Sequence, residues 1–253
     1  MDAQAWRATL VETVDAVSDA VRAIAPGDRG RSGGRAGQYD LDLVAERAAL
    51  EVLVPTGARV LSEEAGSIGD GDSDVTVVID PVDGSTNLSR GVPHAACSLC
   101  VVDGEGPWVA VVADIVTGER FDAVRGEGAR LDGAPLGPAS GCDRLADAVV
   151  CFSGWPTTHL GWRQFRALGA AALDICYVAA GRVDAFVDAL SAHGVWDYLG
   201  ALLVCDEVGV AVAEQAGDEL VVLDHDARRG PIVAATPELL AEIQGVLAGA
   251  AIR

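Results

Sequence analysis

The residues with the most informative chemistry form one short polar segment that follows an apolar run. Residues 75–79 read Val-Thr-Val-Val-Ile, and Asp80-Pro-Val-Asp-Gly-Ser-Thr-Asn87 comes directly after them. Two carboxylates at the end of a buried strand cost free energy unless they are paired or bind a metal ion. The backbone N–H groups of Gly84, Ser85 and Thr86 can face an anion, and a helix beginning there would favour a phosphate.

Carboxylates beside a phosphate make physical sense when cations lie between them, and oxygen-rich ligand sets are typical of Mg²⁺. The segment therefore predicts a magnesium and phosphate site. The alternative is a structural turn, which would not need so many polar groups against a buried strand.

Two further acidic positions also follow or precede predicted elements. Glu63 and Glu64 come after a short predicted strand at residues 59–61, and Asp197 precedes an apolar helix in Trp196-Asp197-Tyr198. Taken alone, the glutamate pair is more typical of a solvated turn than of a metal site. Taken alone, Asp197 is equally typical of a helix N-cap.

The elements that position these residues change in character along the chain. Apolar residues repeat with helical spacing from Leu10 to Ile24, and a second helix is predicted over residues 42–54. The pattern then predicts antiparallel strands, followed by strands that alternate with helices. We expect a layered α/β protein with two subdomains, at residues 1–140 and 141–253, and a cleft between them. The predicted strands are 75–79, 95–102, 108–113, 119–124, 148–152 and 183–187, and the later helices are 169–180, 198–208 and 237–247.

Composition excludes several classes of protein. The 253 residues include 18 basic and 38 acidic ones, which gives a formal charge of -20. Such a charge argues against a nucleic-acid partner and against an anionic membrane surface. No apolar run is long enough to span a membrane, and the first residues lack the pattern of a signal peptide, so we expect a cytoplasmic location.

Other possible sites receive structural interpretations. Cys97 and Cys100 are spaced as C-x-x-C, but they fall in a predicted strand, where positions three apart face opposite sides. All six cysteines are therefore interpreted as structural thiols. His94 is interpreted as a structural histidine, and Asp224-His225-Asp226 as an exposed turn. Residues 28–37, rich in Gly and Arg, are interpreted as a loop.

Together these motifs resemble a known family. The 80–87 segment resembles the D-P-x-D-G-[ST]-x-N signature of Mg²⁺-dependent phosphatases of the inositol monophosphatase type. Ser62-Glu63-Glu64 resembles the upstream metal motif of that family, and Trp196-Asp197 the downstream one. Asp42-Leu-Val-Ala-Glu46 resembles a segment of the archaeal bifunctional inositol monophosphatase/fructose-1,6-bisphosphatase, as do residues 168–181 and 184–188.

The resemblance implies a fold, a homodimer and a set of residue roles. The fold would be an α-β-α-β-α sandwich. Two or three Mg²⁺ ions would clamp the phosphate of a small polyol or sugar phosphate and activate a water for attack. Ser85 would orient that water together with Asp42 or Glu46. The implied metal ligands are Glu63, Asp80, Asp83, Asp197 and the carbonyl of Val82, and the implied substrate contacts are Gly84, Ser85, Thr86, Arg166 and Asp188.

Several alternatives stay open at this point. The second-helix motif of inositol monophosphatases proper would end at Ala48 when aligned on Asp42 and at Glu46 when aligned on Asp40. The archaeal-type alignment, with Asp42 first and Glu46 last, fits best, so Asp42 and Glu46 are both candidates for activating the water. Ala189 and Leu190 stand where the archaeal type carries a phosphate-binding Arg, which weakens the case for fructose 1,6-bisphosphate. Inositol 1-phosphate is the first candidate substrate, and histidinol phosphate is another. A non-catalytic relative that binds metal or phosphate is the rival from a different class.

Overall fold

The computed structural model describes residues 1–25, 29–30, 38–69, 73–156 and 159–249. The predicted loop at residues 28–37 lies almost wholly outside these ranges. Within them, no helix is both long and apolar enough to cross a membrane. The helices are α1 Ala3–Ala23, α2 Asp40–Leu53, α3 Ser85–Ser89, α4 Ala171–Ala179, α5 Leu199–Asp206 and α6 Pro237–Gly249, with 3₁₀ turns at Val54–Thr56, Leu145–Asp147 and Val195–Asp197.

The residues that the structure describes form thirteen strands in two sheets. The first sheet has eight strands in the order β2-β1-β3-β4-β5-β6-β7-β8, antiparallel except where β1 pairs with β3. The second has five strands in the order β10-β9-β11-β13-β12, of which the first three are parallel. The strands are β1 Arg59–Ser62, β2 Gly66–Ile68, β3 Thr76–Asp83, β4 Ala96–Asp103, β5 Gly106–Asp114, β6 Arg120–Val124, β7 Gly128–Leu131, β8 Ala134–Pro135, β9 Val149–Ser153, β10 Gln164–Arg166, β11 Ala185–Asp188, β12 Ala211–Glu214 and β13 Pro231–Ala234.

The apolar residues divide into three clusters that stack the elements in layers. One cluster joins α1 and α2 to one face of the large sheet. A second places α4 and α5 between the other face of that sheet and the small sheet. A third packs α6 on the outer face of the small sheet. The predicted α-β-α-β-α sandwich is confirmed. The two sheets use residues 59–135 and 149–234, and the subdomain boundary at residue 140 stays a prediction.

The antiparallel meander from β4 to β6 is confirmed, but several boundaries were wrong. The most informative error is β3, which continues through the polar motif to Asp83 instead of ending at Ile79. Its pairing with β4 shifts between Asp80 and Asp83. Pro81 has no N–H to donate, so a bulge lets the strand continue past it. The first half of the motif, Asp80 to Asp83, therefore lies on the strand itself.

The interpretation of the cysteines is supported by the packing. Cys97 and Cys100 are both buried on β4, but they belong to clusters on opposite faces of the large sheet. All six thiols are free. Burial raises the pKa of both Cys97 and Cys100, which keeps these thiols protonated and unreactive.

Candidate metal-binding active site

Three of the predicted metal ligands meet in space. Glu63 follows β1, Asp80 lies within β3, and Asp197 ends the 3₁₀ turn that precedes α5. Each offers a carboxylate oxygen within 4.8 Å of the other two. β1 and β3 are neighbours in the large sheet, and the N–H of Glu63 donates to the carbonyl of Ile79, so their pairing places Glu63 beside Asp80. We call Glu63, Asp80 and Asp197 the acidic cluster.

Without a bound cation, ionisation of all three carboxylates of the acidic cluster is unfavourable. Burial, followed by repulsion from Asp197, raises the pKa of Glu63 to about 8. Burial and the charge of Glu63 raise the pKa of Asp80 well above its usual range. Neutralising such a site requires bound protons or a bound cation. Closely spaced carboxylate oxygens fit a hard divalent ion such as Mg²⁺.

Asp83 lies next to the acidic cluster but is oriented by a different partner. Its Oδ2 atom accepts a hydrogen bond from the N–H of Ala172, in the first turn of α4, at 2.7 Å. Burial, then the charge of Asp197, raises its pKa to about 7. The buried Val82 between the two aspartates donates its own N–H to Oδ1 of Asp80 at 2.9 Å. Asp83 thus connects the large sheet to α4.

The predicted phosphate segment begins a short helix. Gly84 has φ +90°, and a Cβ at this position would lie 2.9 Å from the carbonyl oxygen of His94. Glycine is therefore required by both conformation and space. α3 starts immediately afterwards at Ser85, and the exposed Thr86 has its hydroxyl 3.2 Å from the hydroxyl of Tyr39.

The two candidates on α2 have different surroundings. Both carboxyl groups are buried. Oδ2 of Asp42 accepts the N–H of Tyr39 at 2.8 Å, which caps the start of the helix. Oε2 of Glu46 accepts the hydroxyl of Ser62 at 2.6 Å, whereas none of the described residues donates to its Oε1. Burial raises the pKa of Glu46, although the bond from Ser62 opposes the change.

Two of the predicted substrate residues, Arg166 and Asp188, lie on the small sheet and bind groups of their own chain. Arg166 is exposed on the edge strand β10, where its guanidinium donates to the carbonyl of Phe165 and the side chain of Gln164. Asp188 is fully buried, and its two oxygens accept the N–H groups of Leu190 and Ala192. This geometry favours a role for Asp188 in holding the turn after β11 over direct contact with substrate.

The structural interpretation of Asp197 as the cap of α5 is not what the structure shows. α5 has no side-chain cap, and Oδ2 of Asp197 instead faces back to accept the N–H of Gly194 and the ring of His193, each at 2.9 Å. His193 was missed by sequence reasoning. A histidine four residues before the motif was a signal, but the residues alone did not show which way either side chain points.

A second histidine pairs with a buried carboxylate that sequence reasoning also missed. His94 Nε2 lies 2.9 Å from Oδ1 of Asp174 on α4. This contact gives His94 a buried partner, as expected for a structural histidine. The two residues are 80 positions apart in the sequence, so no local pattern could have paired them.

Comparison with known proteins places this geometry in a family. The family model described as the Inositol monophosphatase family matches residues 3–248. The chain belongs to the inositol monophosphatase family. Its relatives include the Nus factor SuhB of Pasteurella multocida, which is 35% identical over 223 residues, or 81% of this chain and 79% of that protein. The fructose-1,6-bisphosphatase/inositol-1-monophosphatase of Methanocaldococcus jannaschii is 31% identical over 207 residues, or 79% of this chain and 80% of that protein.

Solved structures of the inositol monophosphatase family share the fold. An inositol monophosphatase–fructose 1,6-bisphosphatase superposes with a TM-score of 0.85 at 27% identity, covering 95% of this chain and 99% of that one. A Pyrococcus horikoshii protein with similarity to inositol-1 monophosphatase gives a TM-score of 0.87 at 24% identity, covering 97% and 99%. Bacterial and archaeal relatives lie at similar identities, so the expected closeness to the archaeal type is not resolved.

Proposed function

We propose that the chain is a Mg²⁺-dependent phosphomonoesterase that hydrolyses a small polyol or sugar phosphate, with inositol 1-phosphate as the first candidate substrate. The acidic cluster carries this proposal. Its three carboxylate oxygens lie within 4.8 Å of one another, and the three groups can be ionised together only if a cation neutralises their charge. Family membership supports the same reaction class. Fructose 1,6-bisphosphate and histidinol phosphate are the alternative substrates.

The residues present fit Mg²⁺. Glu63, Asp80 and Asp197 would hold it, with Asp83 and the carbonyl of Val82 as further predicted ligands. Bound Mg²⁺ would supply positive charge for the phosphate oxygens and for an attacking water. The chain itself orients its ligands: Ala172 holds one oxygen of Asp83, and Gly194 and His193 hold one oxygen of Asp197.

The hydrolysis needs one proton acceptor close to the acidic cluster. Water forms a new P–O bond, the ester P–O bond breaks, and the proton from water ultimately accompanies the leaving alkoxide as the product alcohol. Of the two α2 candidates we favour Glu46 as the acceptor, because burial raises the pKa of its carboxyl group and a raised pKa makes a carboxylate a stronger proton acceptor. Ser85, at the start of α3, would help orient the water.

The backbone N–H groups of Gly84, Ser85 and Thr86 are proposed to contact the phosphate, because α3 begins at this point. Arg166, the last residue of β10, is proposed to contribute positive charge to the substrate site. The role of Arg166 is tested by the substrate dependence of phosphate release in Arg166→Ala.

The test is phosphate release from inositol 1-phosphate, fructose 1,6-bisphosphate and histidinol phosphate at matched concentrations, with Mg²⁺ and with EDTA. Release from one substrate with Mg²⁺ and not with EDTA supports the proposal and ranks the substrates. A protein that binds Mg²⁺ but releases phosphate from none of the three would favour a non-catalytic relative.

Nucleic-acid binding needs its own test. The net charge of -20 supports the prediction that the chain has no nucleic-acid partner. However, relatives at 33% and 35% identity carry the name Nus factor SuhB. We propose that RNA and DNA probes are not retarded by this protein in a gel at 50 mM salt. Retardation of an RNA probe would overturn that prediction without affecting the phosphatase proposal.

A further inference from the structure

Two members of the acidic cluster must be held close together against their repulsion. Glu63 and Asp197 are separated by more than half of the chain and approach from different elements, a β1–β2 turn and a 3₁₀ turn. Each raises the energy of ionising its neighbours, so contacts between the segments that carry them must oppose this repulsion. A fixed spacing is also what a metal site needs before the ion arrives.

One side chain contacts both segments. Nε2 of His225 lies 3.1 Å from the carbonyl oxygen of Glu63, and because a carbonyl only accepts, Nε2 carries the hydrogen. The same imidazole ring stacks on Trp196, the residue before Asp197, with centroids 4.9 Å apart and planes 34° apart. The His225 side chain is 32% exposed, so this bridge lies at the protein surface.

The rest of the loop strengthens the connection on the Asp197 side. This loop, residues 224–229, runs between β12 and β13. The Arg228 guanidinium lies 5.2 Å from the centroid of the Trp196 ring and donates to the carbonyl of His225 at 2.8 Å. Arg229 exchanges two backbone hydrogen bonds with His193, whose ring contacts Asp197. The loop therefore contacts Glu63 on one side, and on the other side it contacts the Asp197 segment at Trp196 and at His193.

We infer that His225 is a positioning residue of the metal site, which fixes the separation of Glu63 and Asp197 through its hydrogen bond and its stacking on Trp196. The inference rests on the proposed function in one respect, namely that the acidic cluster binds Mg²⁺. It gives a role to Asp224-His225-Asp226, which the sequence indicates only as a turn. His225 contacts the backbone of Glu63 and the ring of Trp196, so its effect is expected on metal affinity first.

The experiment compares substitutions that remove one of the two contacts of His225 and keep the other. His225→Phe keeps a ring on Trp196 but removes the donor. His225→Gln places an N–H the same number of bonds from the backbone as Nε2, whereas in His225→Asn the donor ends one bond short. His159→Phe is the matched control, because His159 stacks on Trp162 with centroids 4.1 Å apart, away from the acidic cluster. Mg²⁺ affinity is measured by calorimetry, and thermal unfolding in EDTA reports the fold.

We expect the dissociation constant for Mg²⁺ to rise about tenfold in His225→Phe and His225→Asn, as is typical when a group that orients a metal ligand is removed. His225→Gln should keep it within about threefold of wild type, because its donor can still reach Glu63 while Arg228 and Arg229 still connect the loop to the Asp197 segment. His159→Phe should bind Mg²⁺ as wild type does. In EDTA, all folded variants should unfold within a few degrees of one another.

Two results would overturn the inference. The first is wild-type Mg²⁺ affinity in folded His225→Phe. The second is equal loss of affinity in His225→Phe and His225→Gln together with equal loss of thermal stability, which would show that any change of this side chain disturbs the loop as a whole. Failure of wild-type protein to bind Mg²⁺ would instead refute the proposed function, so the two failures are distinguishable.

Discussion

The acidic cluster should make the metal-free protein less stable as the pH rises. The pKa of Glu63 is about 8 and that of Asp83 about 7 in the folded chain, against ordinary values of 4.5 and 3.8. Between pH 5 and pH 7 the folded protein keeps protons that the unfolded chain has lost. The free energy of unfolding therefore falls through this range, and stability is highest at its acidic end.

The size of the effect follows from the number of protons retained. Each proton held by the folded state but not by the unfolded chain changes the free energy of unfolding by about 1.4 kcal/mol per pH unit. One such proton removes about 3 kcal/mol between pH 5 and pH 7. That is a large part of the stability of an ordinary domain, about 5–15 kcal/mol.

The assay is urea unfolding in EDTA at several values between pH 5 and pH 7, repeated with saturating Mg²⁺. Glu63→Gln cannot titrate, so its slope with pH should be shallower than that of wild type by one proton. Asp19→Asn is the matched control, because Asp19 is 82% exposed on α1 and its loss changes the net charge equally. Its slope should equal that of wild type.

Mg²⁺ should flatten the dependence, because binding to the carboxylates releases the retained protons. The reasoning is refuted if wild type in EDTA shows no fall in stability between pH 5 and pH 7. It is also refuted if Glu63→Gln and Asp19→Asn change the slope equally, since the effect would then come from overall charge.

Four further predictions concern single substitutions. Asp83→Asn should lose most Mg²⁺-dependent phosphate release while its circular dichroism spectrum stays that of wild type; wild-type turnover would contradict its proposed role. Gly84→Ala should lose about 1–3 kcal/mol in urea unfolding, because φ is +90° and the new Cβ would lie 2.9 Å from a carbonyl oxygen; unchanged stability would show that the segment relaxes freely. Glu46→Gln should lower turnover about 100-fold or more while leaving Mg²⁺ affinity by calorimetry nearly unchanged, as expected for a proton acceptor; normal turnover would return attention to Asp42. Light scattering should report the expected homodimer, and Phe165→Glu should yield monomers, because Phe165 is 42% exposed on an edge strand beside Trp155, which is 63% exposed; a dimer in that variant would place the interface elsewhere.

The sequence was most informative where chemistry and local pattern coincide. The apolar run before Asp80 predicted a buried strand, and the carboxylates after it predicted the metal site that the acidic cluster now supports. Helical spacing from Leu10 to Ile24 predicted α1. These features depend on neighbours within a few residues, which is the range over which periodicity and burial can be recognised.

The sequence was least informative about long-range pairs and side-chain direction. Asp174 on α4 contacts His94, which precedes β4 of the large sheet. His225 contacts Glu63 from a loop between two strands of the small sheet. Asp188 was expected to face substrate, but the turn after β11 folds two N–H groups onto its carboxylate. The bulge at Pro81 extended β3 beyond its apolar run. None of these outcomes has a signature in the local pattern.

The central claim is that Mg²⁺ bound by the acidic cluster enables phosphate ester hydrolysis. Its most direct test is to record the Mg²⁺ binding isotherm by calorimetry and the Mg²⁺ dependence of phosphate release on the same preparation, for wild type and for Asp80→Asn. Asp80 is 1% exposed within the acidic cluster, so its amide variant removes a ligand charge without opening a cavity. We predict that binding and turnover rise together in wild type and are both weakened in Asp80→Asn. Unchanged Mg²⁺ affinity in folded Asp80→Asn would contradict the account.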